Sequence, residues 1–331
     1  MNQLRLRQKR QLINQIRDFF TSRDFFEIET PLLVPSPGME VHLHSFATRY
    51  VHHDGSEEQL HLPTSPEFAI KKALGAGGFK KVFEIARVFR NQGELGPQHH
   101  PEFNMLEWYR PGSYLQIMDD VEDLLDFLVR HFNAIPISGG EYWTKSIKRT
   151  TIQDCFKIYA GVNLESGLND LTLWRETASK ALSEQIPRDD SFEDIFFRIW
   201  LKLIEPRLGE NRPEIVFDYP ASMAALSKLK SPENNWAERF ELYIQGVEIG
   251  NAFSELTDSE EQLKRFEDAN RQREALGYPP HPIDFELIEA VGKMPPTGGI
   301  AIGVERLLMA LSGETDIREF FLYPLGEVKR K

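Results

Sequence analysis

The sequence predicts an α+β fold, a mainly antiparallel sheet flanked by helices. Strand-like runs come in pairs joined by turn residues: residues 81–89 with 103–109, and 239–244 with 247–249. Helical apolar spacing marks residues 4–20 and 113–133. No glycine-rich strand–loop–helix phosphate motif occurs, so a doubly wound parallel sheet is not indicated.

The elements follow in order. Leu4, Leu12, Ile13, Ile16, Phe19 and Phe20 define a first helix, and residues 25–31 (FFEIETP) a short strand stopped by Pro31. Residues 34–61 read as a polar, histidine-rich loop. A helix then opens at Ser65-Pro66-Glu67, with Ser65 as N-cap, and ends in the turn from Gly75 to Gly78. Residues 81–89 (KVFEIARVF) form a buried strand, joined by a loop with Gly93, Gly96 and Pro97 to residues 103–109. Leu115, Met118, Leu125, Leu128 and Phe132 fall on one side of the next helix. Residues 135–220 read as a helical insertion within a single 331-residue domain, with one clear helix at 192–204. A hairpin turning at Gly246 follows, then a polar helix from Asp258 with capping-box spacing. Last, residues 298–303 (GGIAIG) run directly into a helix at 304–311.

The chain carries 51 Asp+Glu against 39 Lys+Arg, a formal charge of −12, which argues against a surface built to neutralise phosphates. Cys155 is alone, which excludes an internal disulfide and a cysteine-rich zinc site and fits a reducing compartment. No stretch approaches the about 20 apolar residues of a membrane span, and residues 1–20 lack an apolar signal core. The expected setting is cytoplasmic, away from membranes.

Two arginines stand beside glycine-bearing turns, Arg90 at a strand end and Arg306 in the first turn of the last helix. The planar fork of arginine suits phosphate, so the pair fits the two ends of a nucleoside triphosphate; surface ion pairing is the competing reading. Glu241 and Glu248 flank the Gly246 turn, as a magnesium pair or as a solvated acidic face. Glu107 and Tyr109 share a strand face, where a buried Glu needs either a ligand ammonium or an internal Arg or Lys. The histidines His42, His44, His52, His53, His61, His99 and His100 have no metal-ligand spacing, so a zinc site is not expected.

Three segments together resemble the signature motifs of class II aminoacyl-tRNA synthetases: Phe26-Glu27-Ile28-Glu29-Thr30-Pro31; Phe89-Arg90-Asn91 through His100-Pro101-Glu102-Phe103 to Leu106-Glu107-Trp108-Tyr109; and Gly299-Ile300-Ala301-Ile302-Gly303-Val304-Glu305-Arg306. Thr64-Ser65-Pro66-Glu67 and Glu248-Ile249-Gly250-Asn251 leading to Phe253-Ser254-Glu255-Leu256 are similar to the lysyl branch. The first motif begins within the first few tens of residues, so an N-terminal anticodon-reading domain is not expected, nor a tRNA anticodon contact. The chain therefore resembles the free-standing ligases of this branch, which charge a lysine side chain of elongation factor P with (R)-β-lysine. Ala301, at a position where tRNA-charging relatives tend to have Gly, agrees with that narrower resemblance.

The resemblance implies a class II synthetase core, ATP and Mg2+ as cofactors, and a homodimer formed through the first motif. By its implication Arg90 holds the α-phosphate and Arg306 the γ-phosphate, while Asn91, Gln92, His100, Ile249 and Gly303 complete the ATP site. Glu241 and Glu248 would bind magnesium, Glu248 also belonging to the ATP site. Ser65, Pro66, Glu67, Glu107, Tyr109, Asn251, Phe253, Glu255 and Ala301 would line the amino-acid site, with Glu255 and Tyr109 at the side-chain ammonium. Departures from the pattern are Gln92 for Glu, His100 for Asn, Ala252 for Gly, Asp24 for Gly, and one extra residue in the turn from Gly75 to Gly78. The rival functions are an α-lysine-activating enzyme with tRNA or another carrier as acceptor, and a catalytically silent amino-acid sensor.

Overall fold

Burying the apolar stripe of the first helix ties that helix to the strands it packs against. In the computed structural model, which describes residues 3–93, 95–131, 138–231 and 235–326, that stripe lies on α1 (Gln3–Thr21). Leu12, Ile16, Phe19 and Phe20 are buried, whereas Leu4 is exposed. The Phe20 ring stacks on Phe83 at 4.9 Å and tilts against Trp108 at 5.0 Å, fixing α1 to the strands that carry the site. Asp24, where the motif favours glycine, has a left-handed φ of 61°.

The first-motif strand is shorter than expected. Only β1 (Phe26–Glu27) pairs, parallel to the later β4, before the chain leaves the sheet. The expected loop at 34–61 is corrected as well: it holds a hairpin of β2 (Phe46–Val51) and β3 (Glu57–Leu62). The Asp54-Gly55 turn closes it through a bond from the His52 N–H to the Ser56 carbonyl of 2.8 Å. Its strands are mostly exposed, so they lack the apolar alternation by which strands are read.

Next come α2 (Glu67–Gly75), β4 (Val82–Phe89), β5 (Glu102–Pro111) and α3 (Tyr114–His131). Helix α2 starts one turn residue later than read, yet Ser65 Oγ still accepts from the Glu67 N–H at 3.0 Å. Strands β4 and β5 pair antiparallel from Val82–Tyr109 to Phe89–Glu102, as the sequence indicated. On α3 the buried face is Ile117, Met118, Val121, Leu124, Leu125 and Leu128; Leu115 is exposed, and Phe132 lies outside the described residues.

The chain divides into two compact units, Met1–Ser138 with Glu255–Lys331, and Gly139–Ser254. The second unit contains the region read as a helical insertion, including helix Leu171–Leu182 and helix Phe192–Ile199, the latter extended by a π-helical stretch at Trp200–Ile204. It also holds strands: β6 (Lys148–Thr151), β7 (Glu214–Pro220), β8 (Trp236–Ile244) and β9 (Val247–Ser254), in the order β9-β8-β7-β6. Phe156, Trp174, Phe196, Trp200 and Tyr243 build its core. The β8–β9 turn places Gln245 and Gly246 at φ 52° and 75°, the two left-handed residues of a tight hairpin.

The first unit is completed by α4 (Ser259–Ala275), α5 (Phe285–Val291), β10 (Thr297–Gly303) and α6 (Val304–Ser312). Asp258 caps α4 by accepting from the Glu260 and Glu261 N–H groups, each at 3.0 Å. Its sheet runs β1-β4-β5-β10, with β10 antiparallel to β5 so that Ala301 faces Glu107 and Gly299 faces Tyr109. Antiparallel pairing dominates both units, with β1–β4 and β6–β7 the parallel exceptions. This is the expected α+β architecture.

Candidate active site

Strand alternation turns Glu107 and Tyr109 of β5 to the same side, and their side chains meet: the Tyr109 hydroxyl donates to Glu107 Oε2 at 2.8 Å. Ser65, from the loop before α2, donates to Glu107 Oε1 at 2.6 Å. Glu67 in the first turn of α2 and Glu255 join this group, both buried. Between them lies a residue the sequence reading missed. Lys71, 1% exposed, sets its Nζ 2.5 Å from Glu67 Oε1 and 2.6 Å from Glu255 Oε2. The internal lysine considered for Glu107 therefore exists, but it serves Glu67 and Glu255. The four-residue spacing of Glu67 and Lys71 was the available signal.

The group is short of positive charge. Glu255 Oε1 is buried without a hydrogen-bond partner. Burial, opposed by the Lys71 charge and augmented by that of Glu67, raises the Glu255 carboxyl to about 7. Burial, then the charge of Glu67, raises Glu107 to about 8 despite its two hydroxyl donors. Opposite Glu107 in the β4–β5 register stands Glu84, also raised by burial, whose Oε1 accepts from Thr30 N at 2.9 Å and Thr30 Oγ1 at 3.1 Å. Gly299 lets the Tyr109 ring edge and Glu255 Oε1 pack directly on the β10 backbone, where a Cβ would run into both. Ala301, facing Glu107 across the ladder, packs with Ala86, Val88 and Met105.

The expected phosphate residues lie at the ends of β4 and β10. The Arg90 guanidinium sits 5.3 Å from the Phe103 ring centroid, and its backbone N–H donates to Pro101 O at 2.9 Å. Arg306 follows Gly303, the N-cap position of α6; it donates from Nε to Gln98 O at 3.3 Å and meets His99 Nε2 at 2.8 Å. The neighbouring Glu305 is fully buried and binds α1 through Lys9 Nζ at 2.5 Å and β5 through the Asn104 N–H at 3.0 Å. That fixes the turn which presents Arg306. Asn91 pairs its N–H with His44 O at 2.7 Å, and its Oδ1 accepts from the Gln92 N–H at 2.9 Å. His100 has both ring nitrogens engaged, at Glu102 O and at the Leu325 N–H, and one face stacked on Phe321 at 4.1 Å. Of the expected ATP residues, it is the one most committed to internal bonding.

Gln92 lines a cavity of about 520 Å3 together with His44, His61, Arg273, Tyr278 and His281. Burial and the Arg273 charge push His281 down to about 4, and burial lowers His44 and His61. The imidazoles are thus neutral near pH 7. Among the described residues no group of three or more His, Cys, Asp or Glu is arranged to hold a metal ion.

In the second unit, Glu241 of β8 accepts from Arg239 Nη2 at 2.6 Å on Oε1, and from Tyr219 Oη at 2.6 Å and Tyr243 Oη at 2.5 Å on Oε2. Arg239 also donates from Nε to Asn251 Oδ1 at 3.2 Å and lies 5.9 Å from the Phe253 ring. Ile249 is buried in the same strand pair. Burial, then the Glu241 charge, drives the Tyr219 and Tyr243 hydroxyls well up, so they remain donors. Across the hairpin Glu241 pairs with Asn251 and Glu248 with Tyr243. An oxygen-only set of Glu248 plus the remaining lone pair of Glu241 Oε1 fits magnesium, which takes few protein ligands and keeps its waters.

A protein-family model described as tRNA synthetases class II (D, K and N) matches residues 1–327. Proteins named "Elongation factor P--(R)-beta-lysine ligase" are similar along nearly the whole chain. The one from Mannheimia succiniciproducens is 38% identical over 94% of this chain and 92% of its own length. That from Vibrio vulnificus is 37% identical over 96% and 95%, and that from Yersinia enterocolitica 36% identical over 95% and 93%.

Proposed function

The chain belongs to the class II tRNA synthetase family and is an ATP-dependent amino-acid ligase, and from that premise we propose that it activates (R)-β-lysine as an adenylate and transfers it to a lysine side chain of elongation factor P. The observation that carries this reading is the buried carboxylate group of Glu67, Glu107 and Glu255, with Lys71 as the internal ammonium against it. Such a site favours an amino acid that brings an extra ammonium into it, because the unmatched buried carboxylates gain a partner that water cannot supply. The names of the relatives supply the choice of β-lysine and of acceptor.

In this reading the carboxylate of the amino acid attacks the α-phosphorus of ATP, and the bond to pyrophosphate breaks. Arg90 donates to the α-phosphate, where charge builds as the attacking oxygen closes in, and Arg306 holds the γ-phosphate so that pyrophosphate leaves in line. Glu248 and Glu241 would hold magnesium, and the chemistry it would supply there is neutralisation of phosphate charge. Glu255 and the Tyr109–Glu107 pair orient the side-chain amine, while Glu67, Asn251 and Phe253 fix the rest of the molecule. The acceptor lysine attacks the adenylate carbonyl as a neutral amine, forming the amide, losing a proton and releasing AMP. The residues do their work by positioning and charge, with no covalent enzyme intermediate.

We further expect a cytoplasmic homodimer joined through the first-motif helix and strand, α1 and β1, with Phe26 in β1 and Leu32 and Leu33 beyond it exposed. Among the described residues no helix is long and apolar enough to cross a membrane. The acidic surface speaks against tRNA as acceptor. Incubating the protein with ATP, magnesium, (R)-β-lysine and unmodified elongation factor P tests the reading by intact mass. A gain of one β-lysyl group on the factor supports it; adenylate formation without transfer moves the search to other carriers.

A further inference from the structure

Lys71 is a buried cation for which the proposed chemistry has no assigned task. It projects from α2 four residues after Glu67, and its ammonium bridges two carboxylates that belong to different segments: Glu67 on the same helix, and Glu255 after β9. The charged and titratable groups around it are Glu67 on α2, Glu255, Glu107 and Tyr109 on β5, and Glu40, itself buried and acted on by Lys71 and Arg90. Only one oxygen of Glu255 meets Lys71. The other, Oε1, is buried against the Gly299 backbone beside the Tyr109 ring, where a Cβ would collide with both, and has no hydrogen-bond partner.

Resting on the amino-acid-site reading above, we propose that Lys71 is a positioning residue for substrate selection: it holds Glu255 ionised and anchors Oε2, so that Oε1 is presented to the side-chain amine of the substrate. The physical reason is charge balance. Glu255 and Glu67 are both buried, and without a cation between them one would take up a proton rather than remain ionised. A protonated Glu255 would offer the amine a neutral oxygen and lose the discrimination between an ammonium and a methyl group. The directions agree: burial raises the Glu255 carboxyl, and the Lys71 charge is the largest influence pulling it back. Despite burial, the charges of Glu255 and Glu67 keep Lys71 protonated far above neutrality.

The test is the pH dependence of KM for (R)-β-lysine in ATP–pyrophosphate exchange between pH 6 and 9, using the full-length protein and its Lys71→Met and Lys71→Arg variants. ATP affinity is measured separately by titration. Lys71→Met should raise KM tenfold or more at pH 7 with kcat and ATP affinity changing little, and the loss should shrink toward pH 9 as Glu255 ionises unaided. It should also narrow the preference for lysine over norleucine, and Lys71→Arg should recover most of the difference. Unchanged KM, or a loss equal at every pH that Lys71→Arg leaves in place, would overturn the proposal. If Lys71→Met does not fold, Lys71→His carries the test: KM should then rise as the imidazolium loses its proton, whereas a profile parallel to that of the parent protein overturns the role. Absence of amino-acid-dependent exchange in the parent protein would instead overturn the functional reading itself, and this inference with it.

Discussion

Two groups of buried carboxylates, one in each unit, meet burial in opposite ways. Around Glu241 the protein brings its own donors: two tyrosine hydroxyls and the Arg239 guanidinium, which also binds Asn251 and the Met223 carbonyl. Around Glu67, Glu107 and Glu255 it brings one ammonium and two hydroxyls, and leaves Glu255 Oε1 without a partner. The first group has its charge met by the protein's own donors, with one lone pair of Glu241 Oε1 left for the proposed magnesium; the second carries a charge deficit that a ligand can relieve. A buried carboxylate is therefore informative through what is missing around it, more than through its burial.

The comparison can be broken at several points. Glu241→Leu should cost the most stability, about 3–5 kcal/mol in urea unfolding, because it leaves Arg239 buried with its main partner removed. An equal loss from Glu255→Gln would erase the distinction between the two groups. Arg306→Ala should slow adenylate formation by about 10²–10³-fold, as expected for a lost electrostatic clamp, with little change in melting temperature. Glu255→Gln should raise KM for the amino acid by about 10–100-fold while ATP affinity holds, the scale of one charged hydrogen bond. These three are read by chemical unfolding, by single-turnover adenylate formation and by steady-state exchange.

The smallest effect is on pH. Glu107 and Glu255 titrate in the fold at about 8 and about 7, above the roughly 4.3 of an unfolded Glu. Their ionisation is thus resisted by the fold, and the stability they contribute is present at pH 4–5 and lost as pH rises through 7 and 8. The ligand-free protein should melt about 2 °C or more lower at pH 8.5 than at pH 6. Glu107→Gln should flatten that slope, and (R)-β-lysine should restore the alkaline value. A slope unaffected by either would mean that other groups set it.

What the sequence made legible follows from burial and local spacing. Strands β4 and β5 were readable because their apolar runs are buried and bounded by turns, so Arg90 could be placed at the end of one and Glu107 on the other, while Arg306 followed from the glycine-led helix that β10 runs into. The β2–β3 hairpin escaped because exposed strands such as Phe46–Val51 need no alternation. The strand β7, EIVFDYP, was absorbed into a region read as helical, since a short apolar run does not distinguish strand from helix. Lys71 escaped for another reason. A lysine in a nine-residue helix reads as solvated, and its burial is set by Glu255, 184 positions away in the chain (255 − 71). His100 stands at a motif position as a departure from its usual Asn, and its ring is occupied by Leu325 and Phe321, contacts that no local pattern announces.

The central claim is that a buried carboxylate site short of positive charge selects an amino acid with a second amine. Magnesium-dependent ATP–pyrophosphate exchange tests it directly, with (R)-β-lysine, α-lysine, norleucine and no amino acid compared at pH 7.5. The account predicts exchange with the two diamino acids, fastest with (R)-β-lysine, and background rates with norleucine. Exchange with norleucine as fast as with either lysine, or none with any of them, would contradict it.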